Sequence, residues 1–154
     1  MVDPGPESAP VPNLMTMRIV WFAFLTTQGV LLFAASMAVQ PQAEPLGVLA
    51  MVFPVLALLM AVATPLVRRV VGRGAIAIAP PDGDDDISAL PPEQLRRYQA
   101  TLIVGLTCAE VVTLLGFAHA FLGGSVAAML PYVGLSALLI LAQLPSGAAI
   151  RLVK

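Results

Sequence analysis

The stretch LRRYQATLIVGLTCAEVVTLLGFAHAFLGG, residues 95–124, decides how the whole chain is read. From Ala100 to Gly124 its side chains are apolar, small or hydroxylated, apart from one acid, Glu110, and one imidazole, His119. A helix needs about 20 such residues to cross a hydrocarbon core of roughly 30 Å. Gln99 to Leu122 therefore predicts a membrane-spanning helix, because a helix satisfies its own backbone hydrogen bonds where no water can.

Three further runs are as long and as apolar: Ile19 to Val39, Leu46 to Val67 and Ser125 to Leu144. The composition agrees, with 58% hydrophobic and 11% charged residues in 154, where a soluble domain carries roughly a quarter charged. The expected fold is all-α, with four transmembrane helices arranged as two antiparallel hairpins. The links QPQAEPLG (residues 40–47) and LGGS (residues 122–125) are too short for any other connection.

The hairpins set the domain organisation. Residues 1–17 hold four prolines, two acids and no hydrophobic period, so they predict a disordered lead-in. Its acidity and the length of the following apolar run argue against a cleaved signal peptide, although Ala35 to Ala38 resembles a cleavage site. Residues 18–67 form the first hairpin, 68–97 a loop, and 98–154 the second hairpin with a short tail. In the loop PPDGDDD (residues 80–86) predicts a solvated segment, whereas PPEQLRRYQ (residues 91–99) places proline at a helix start and Glu93 in its first turn. The third helix is thus expected to begin near Pro92 and to enter the membrane without a break.

A four-span reading sorts Arg18, Arg68, Arg69, Arg73, Arg96, Arg97, Arg151 and Lys154 to one side and leaves no basic residue on the other. Positive-inside bias then places both termini and the long loop in the cytoplasm. The arginine- and alanine-rich composition points to a bacterial inner membrane. Trp21 and Tyr98 mark the inner boundary and Tyr132 the outer one. Pro54, Pro65 and Pro131 fall in or near spans, where a modest kink is the expectation.

So little chain lies outside the spans that no soluble catalytic domain can be built, and no nucleophile constellation, phosphate loop or dinucleotide fingerprint is present. The expectation is a protein that is not an enzyme and binds no cofactor and no nucleic acid. The single cysteine, Cys108, excludes an intrachain disulfide and a cysteine-rich zinc site, and reads as a small apolar residue. Asp82, Asp84, Asp85 and Asp86 lack the spacing of a calcium loop. The expected partners are the lipid bilayer itself and a homo-oligomer or larger membrane complex.

Glu110 is the residue that calls for explanation. It lies near the midpoint of the third span, where a carboxylate costs about 2.5–3.5 kcal/mol even on lenient insertion scales. It should face protein or water and stay protonated unless a cation pairs with it. Thr107 and Thr113 flank it at three residues either way, and Gln28 of the first span lies at a similar depth. Two readings follow. In one, a protonated Glu110 bonds to Gln28 and ties the first helix to the third, contributing on the order of 1 kcal/mol. In the other, Glu110, Thr107, Thr113 and Gln28 form a proton or sodium site.

The run AEVVTLLGF, Ala109 to Phe117, resembles the ion-binding helix of rotary ATPase proteolipids, the c-type subunits. That resemblance implies cation binding at Glu110 within an oligomeric ring. The chain departs from that family in having only Gly29 and Gly47 in or beside its first two spans, an acid on the third span rather than an even-numbered one, and a long acidic loop. Over most of its length the layout is similar to that of small four-span bacterial membrane proteins of unknown function, with an Arg-Tyr entry to the third helix and a Glu in its middle. This implies a structural or accessory subunit without supplying an activity.

Gly105, Ala109, Gly116 and Ala120 fall within about 60° of one another at 100° per residue. They form a smooth groove that lets a second helix approach, inside the monomer or in a self-association seam. His119 lies on the opposite side of the helix from Glu110, near the outer interface, and a lone histidine is a weak metal ligand.

Overall fold

The computed structural model describes residues 14–40, 47–71, 92–123 and 125–145. These form α1 (Leu14–Ala38), α2 (Leu49–Val71), α3 (Pro92–Gly123), one 3₁₀ turn (Val126–Met129) and α4 (Leu130–Leu141), with no strand among the described residues. Helices α1, α2 and α3 are each long and apolar enough to cross a membrane.

Helix starts follow local chemistry. Pro92 opens α3 with Glu93 in the first turn, and the helix then runs for 32 residues without interruption. Proline fits there because the first N–H groups of a helix have no internal acceptor. Gly47 has φ of 56°, a left-handed value that glycine adopts without strain, and it turns the chain into α2. Pro54 and Pro65 both lie inside α2, which continues through them.

Boundaries differ from expectation in three places. Leu14 to Met17 is helical rather than part of a disordered lead-in, and Met17 is buried in the core. α2 extends past Val67 through Arg68 and Arg69, so the expected loop of residues 68–97 shortens from both ends; the acidic cluster Asp82 to Asp86 lies outside the described residues. The fourth apolar run is not one long helix. It is the 3₁₀ turn followed by 12 residues of α4, together about 26 Å against a core of roughly 30 Å.

Two prolines explain that shortening. Pro131 sits in the first turn of α4, fed by the tighter turn before it. At the other end Pro145 has no N–H to give to Leu141, and its ring would strike that carbonyl if the helix went on. The last bonds accordingly tighten: Gln143 N donates to Ile140 O at 3.0 Å and Leu144 N to Leu141 O at 3.2 Å.

α3 is the central helix, with ten buried residues against three each in α1 and α2. Along α1, Met17 packs with Leu95, Leu102 and Leu106 of α3, and Ala35 with Ala120. Along α2 the order reverses, since Phe53 stacks on His119, Ala57 packs with Val112, and Arg68 lies against Gly105. α4 also descends α3, from Tyr132 at Gly116 through Ser136 at Ala109 to Gln143 at Gly105.

The distribution of polarity is the inverse of a soluble bundle. Ile19, Phe22, Phe33 and Met37 of α1 and Met51, Val55, Leu58, Leu59, Val62 and Leu66 of α2 are exposed. Gln28, Thr64, Thr113, Ser136 and Gln143 are buried. Large exposed apolar faces with polar groups turned inward suit a chain whose solvent is hydrocarbon.

Candidate functional site

Gln28 reaches the site from the middle of α1, and Glu110 and Thr113 from the middle of α3. Gln28 Nε2 donates to Glu110 Oε2 at 2.5 Å and, more weakly, to Phe24 O at 3.4 Å. Thr113 Oγ1 donates to Gln28 Oε1. The amide orientation is chemically determined, because Phe24 O can only accept and so must face the nitrogen. The result is a directed chain of donors, Thr113 to Gln28 to Glu110, that joins two helices through two buried side chains and the half-buried Glu110.

One oxygen is left over. Glu110 Oε1 is buried and has no hydrogen-bond partner among the described residues. In the neutral acid a proton on that oxygen lacks an acceptor, and in the anion the oxygen lacks a cation. The two halves of the carboxyl thus differ: Oε2 is satisfied inside the protein, and Oε1 is not.

Thr107, expected beside Glu110, does not join the group. It is exposed, and its hydroxyl donates to Ile103 O of its own helix at 2.9 Å. Thr107 and Thr113 are separated by about 120° around α3, so when one faces α1 the other cannot. Thr26 and Thr27 likewise spend their hydroxyls on Phe22 and Ala23 carbonyls of their own helix.

The small-residue groove is filled from within the chain. Gly105, Ala109, Gly116 and Ala120 are all buried. A Cβ on Gly116 would overlap Tyr132 Cβ and come within 2.7 Å of Tyr132 Cγ. Ser136 Oγ donates to Ala109 O at 2.7 Å, and Gln143 Nε2 donates to Leu139 O at 2.9 Å and Gly105 O at 3.3 Å. α4 and the turn that follows it therefore lay three polar side chains into the groove, two of which bond to α3 carbonyls exposed by the absence of bulk.

Other polar contacts were not anticipated from sequence. His119 Nδ1 and Tyr132 Oη are 2.7 Å apart, with Phe53 stacked on the imidazole at 5.5 Å, so α2, α3 and α4 meet at that histidine. Trp21 Nε1 donates to Ile140 O at 2.7 Å, linking α1 to the end of α4. A signal for the α4 contacts was available: Tyr132, Ser136 and Gln143 lie within about 40° on a helical wheel. Among the described residues no three His, Cys, Asp or Glu side chains gather as a metal site, and Cys108 is a half-buried free thiol.

Fold and site together define a helical bundle with apolar outer faces and a buried polar seam, consistent with a multi-pass membrane protein. No protein family, no curated protein and no solved structure matches the chain.

Proposed function

We propose that the chain is a four-span integral membrane protein of a bacterial inner membrane, folded as two antiparallel hairpins with both termini and the intervening loop in the cytoplasm. It serves as a structural or accessory subunit, and its protonated Glu110 acts as an intramembrane hydrogen-bonding group. The observation that carries this reading is the Thr113–Gln28–Glu110 chain, in which the carboxyl faces a neighbouring helix of the same chain. An acid turned outward to lipid would have required a second copy to cover it. The short α4 is compatible with a fourth crossing if the bilayer thins locally beside it.

A second reading rests on the partnerless Glu110 Oε1. In that reading the carboxyl is a proton or sodium site, as the likeness to c-type proteolipids implies, with Gln28 and Thr113 as neutral neighbours. Infrared difference spectroscopy of the protein in lipid nanodiscs, with Glu110→Gln as the blank, separates the two. A carboxyl band unchanged by sodium and constant from about pH 6 to 9 supports the structural role. A band that titrates in that interval, or shifts with sodium, supports the ion site and removes the first reading.

A further inference from the structure

A second group of incompletely bonded polar atoms lies away from Glu110, where the ends of α2 and α4 meet α3. Arg68, in the last turn of α2, lays its side chain over Gly105: a Cβ there would stand 2.8 Å from Arg68 Cδ and 3.1 Å from Arg68 Cγ. The same Cβ would overlap Gln143 Oε1. Arg68 and Gln143 thus converge on one point that only a glycine leaves open.

Neither is satisfied there. Among the described residues, Arg68 Nε is a buried donor with no acceptor, and Gln143 Oε1 is a buried acceptor with no donor. They do not bond to each other. Gln143 is 4% exposed, and its Nε2 is already committed to Leu139 O and Gly105 O, so Oε1 is held in place. Tyr98 of α3 stands within electrostatic reach of the guanidinium. A buried donor and a buried acceptor left unmatched are each unfavourable, so a ligand that satisfies both is favoured.

The chemistry of that ligand follows from the two atoms and their depth. Arg68 follows directly on the apolar run that ends at Val67, at the level where lipid phosphates lie and basic side chains meet them. Arg68 Nε belongs to a cation and is best met by an anionic acceptor, and Gln143 Oε1 needs an N–H or O–H donor beside it. A phosphodiester carrying ethanolamine or glycerol supplies both. One carrying choline supplies the acceptor and has no donor.

We propose that Arg68 and Gln143 form a seat for a phospholipid headgroup that bears a hydrogen-bond donor next to its phosphate. This rests on the membrane reading given above; were that reading wrong, the chain would purify without detergent, a result separate from any lipid preference. The test is native mass spectrometry of the full chain in detergent, titrated with phosphatidylethanolamine, phosphatidylglycerol and phosphatidylcholine of identical acyl chains. Expected is retention of the first two over phosphatidylcholine by about five-fold, the equivalent of one hydrogen bond. In Arg68→Met, which keeps the aliphatic stem over Gly105 and lacks Nε, all three should fall to one low level.

Equal retention of the choline lipid by the unaltered protein overturns the proposal without reliance on any variant. So does a preference that survives Arg68→Met. Soluble glycerophosphoethanolamine is added as a separate arm; if it binds as tightly as the lipid, the site is one for a free phosphodiester and the lipid assignment fails.

Discussion

Replacing Gly116 by alanine tests the seam on which the bundle depends. The new Cβ would overlap Tyr132 Cβ and lie 2.7 Å from Tyr132 Cγ, whereas carbon atoms are at ease at about 3.5–4.0 Å, so α3 and α4 must part by roughly 1 Å. Tyr132 cannot step aside cheaply, because the obstacle is its Cβ rather than its ring tip, and its hydroxyl lies 2.7 Å from His119 Nδ1. Overpacking of this kind costs about 1–3 kcal/mol. The same parting stretches the bond from Ser136 Oγ to Ala109 O, which adds about 0.5–1.5 kcal/mol. The expected loss is therefore about 1.5–4.5 kcal/mol. Gly29 and Gly134 provide the controls, since each lies in a helix and a Cβ at either meets nothing within 4 Å; alanine there should be neutral or stabilising by roughly 0.5–1 kcal/mol. Equilibrium unfolding by SDS in mixed micelles reads the difference. The reporter is the single tryptophan, Trp21, whose Nε1 bonds to α4 at Ile140. A Gly116→Ala protein as stable as Gly134→Ala would refute the seating of Tyr132 on Gly116, and with it the role of the groove.

The remaining expectations concern the polar contacts between helices. Glu110→Gln keeps an acceptor for Gln28 and should leave stability within about 0.5 kcal/mol of the parent, whereas Glu110→Leu strands the Gln28 amide and should cost about 1 kcal/mol by the same SDS titration; equal effects of the two would mean that the bond contributes nothing. A double-mutant cycle on Gln28→Leu and Thr113→Val should return a coupling of about 0.5–1.5 kcal/mol, while Gln28→Leu with Thr107→Val should return none, because the Thr107 hydroxyl bonds to Ile103 O of its own helix. Trp21→Phe removes the donor to Ile140 O and should cost about 1 kcal/mol, read from thermal loss of helical circular dichroism in micelles; an unchanged midpoint would place Trp21 away from α4.

What the sequence alone discloses depends on the kind of physics involved. Helix lengths and the entry of α3 at Pro92 follow from apolar run length and from proline's missing N–H, both local properties. The shortened α4 was legible in principle from Pro131 and Pro145, yet the unbroken apolar composition of residues 125–144 masks it. At the site, the matching depths of Gln28 and Glu110 come from counting residues along their helices. The choice between Thr107 and Thr113 does not, since both flank Glu110 symmetrically in sequence and only the azimuth of α3 relative to α1 separates them.

The same limit explains Tyr132, Ser136 and Gln143, which share one face of α4 in any helical drawing but meet Gly116, Ala109 and Gly105 only through the register of two helices. It explains Arg68 as well: its place at the end of an apolar run is evident from sequence, and its convergence with Gln143 over Gly105 is not. Run length and composition select hydrocarbon as the solvent, because transfer free energies sum along a chain without regard to partners. Which faces touch is decided only in the tertiary structure. Lipid tails are as apolar as leucine, so hydrophobicity cannot separate a core face from a lipid face, and that choice falls to small residues and hydrogen bonds whose partners lie on other helices.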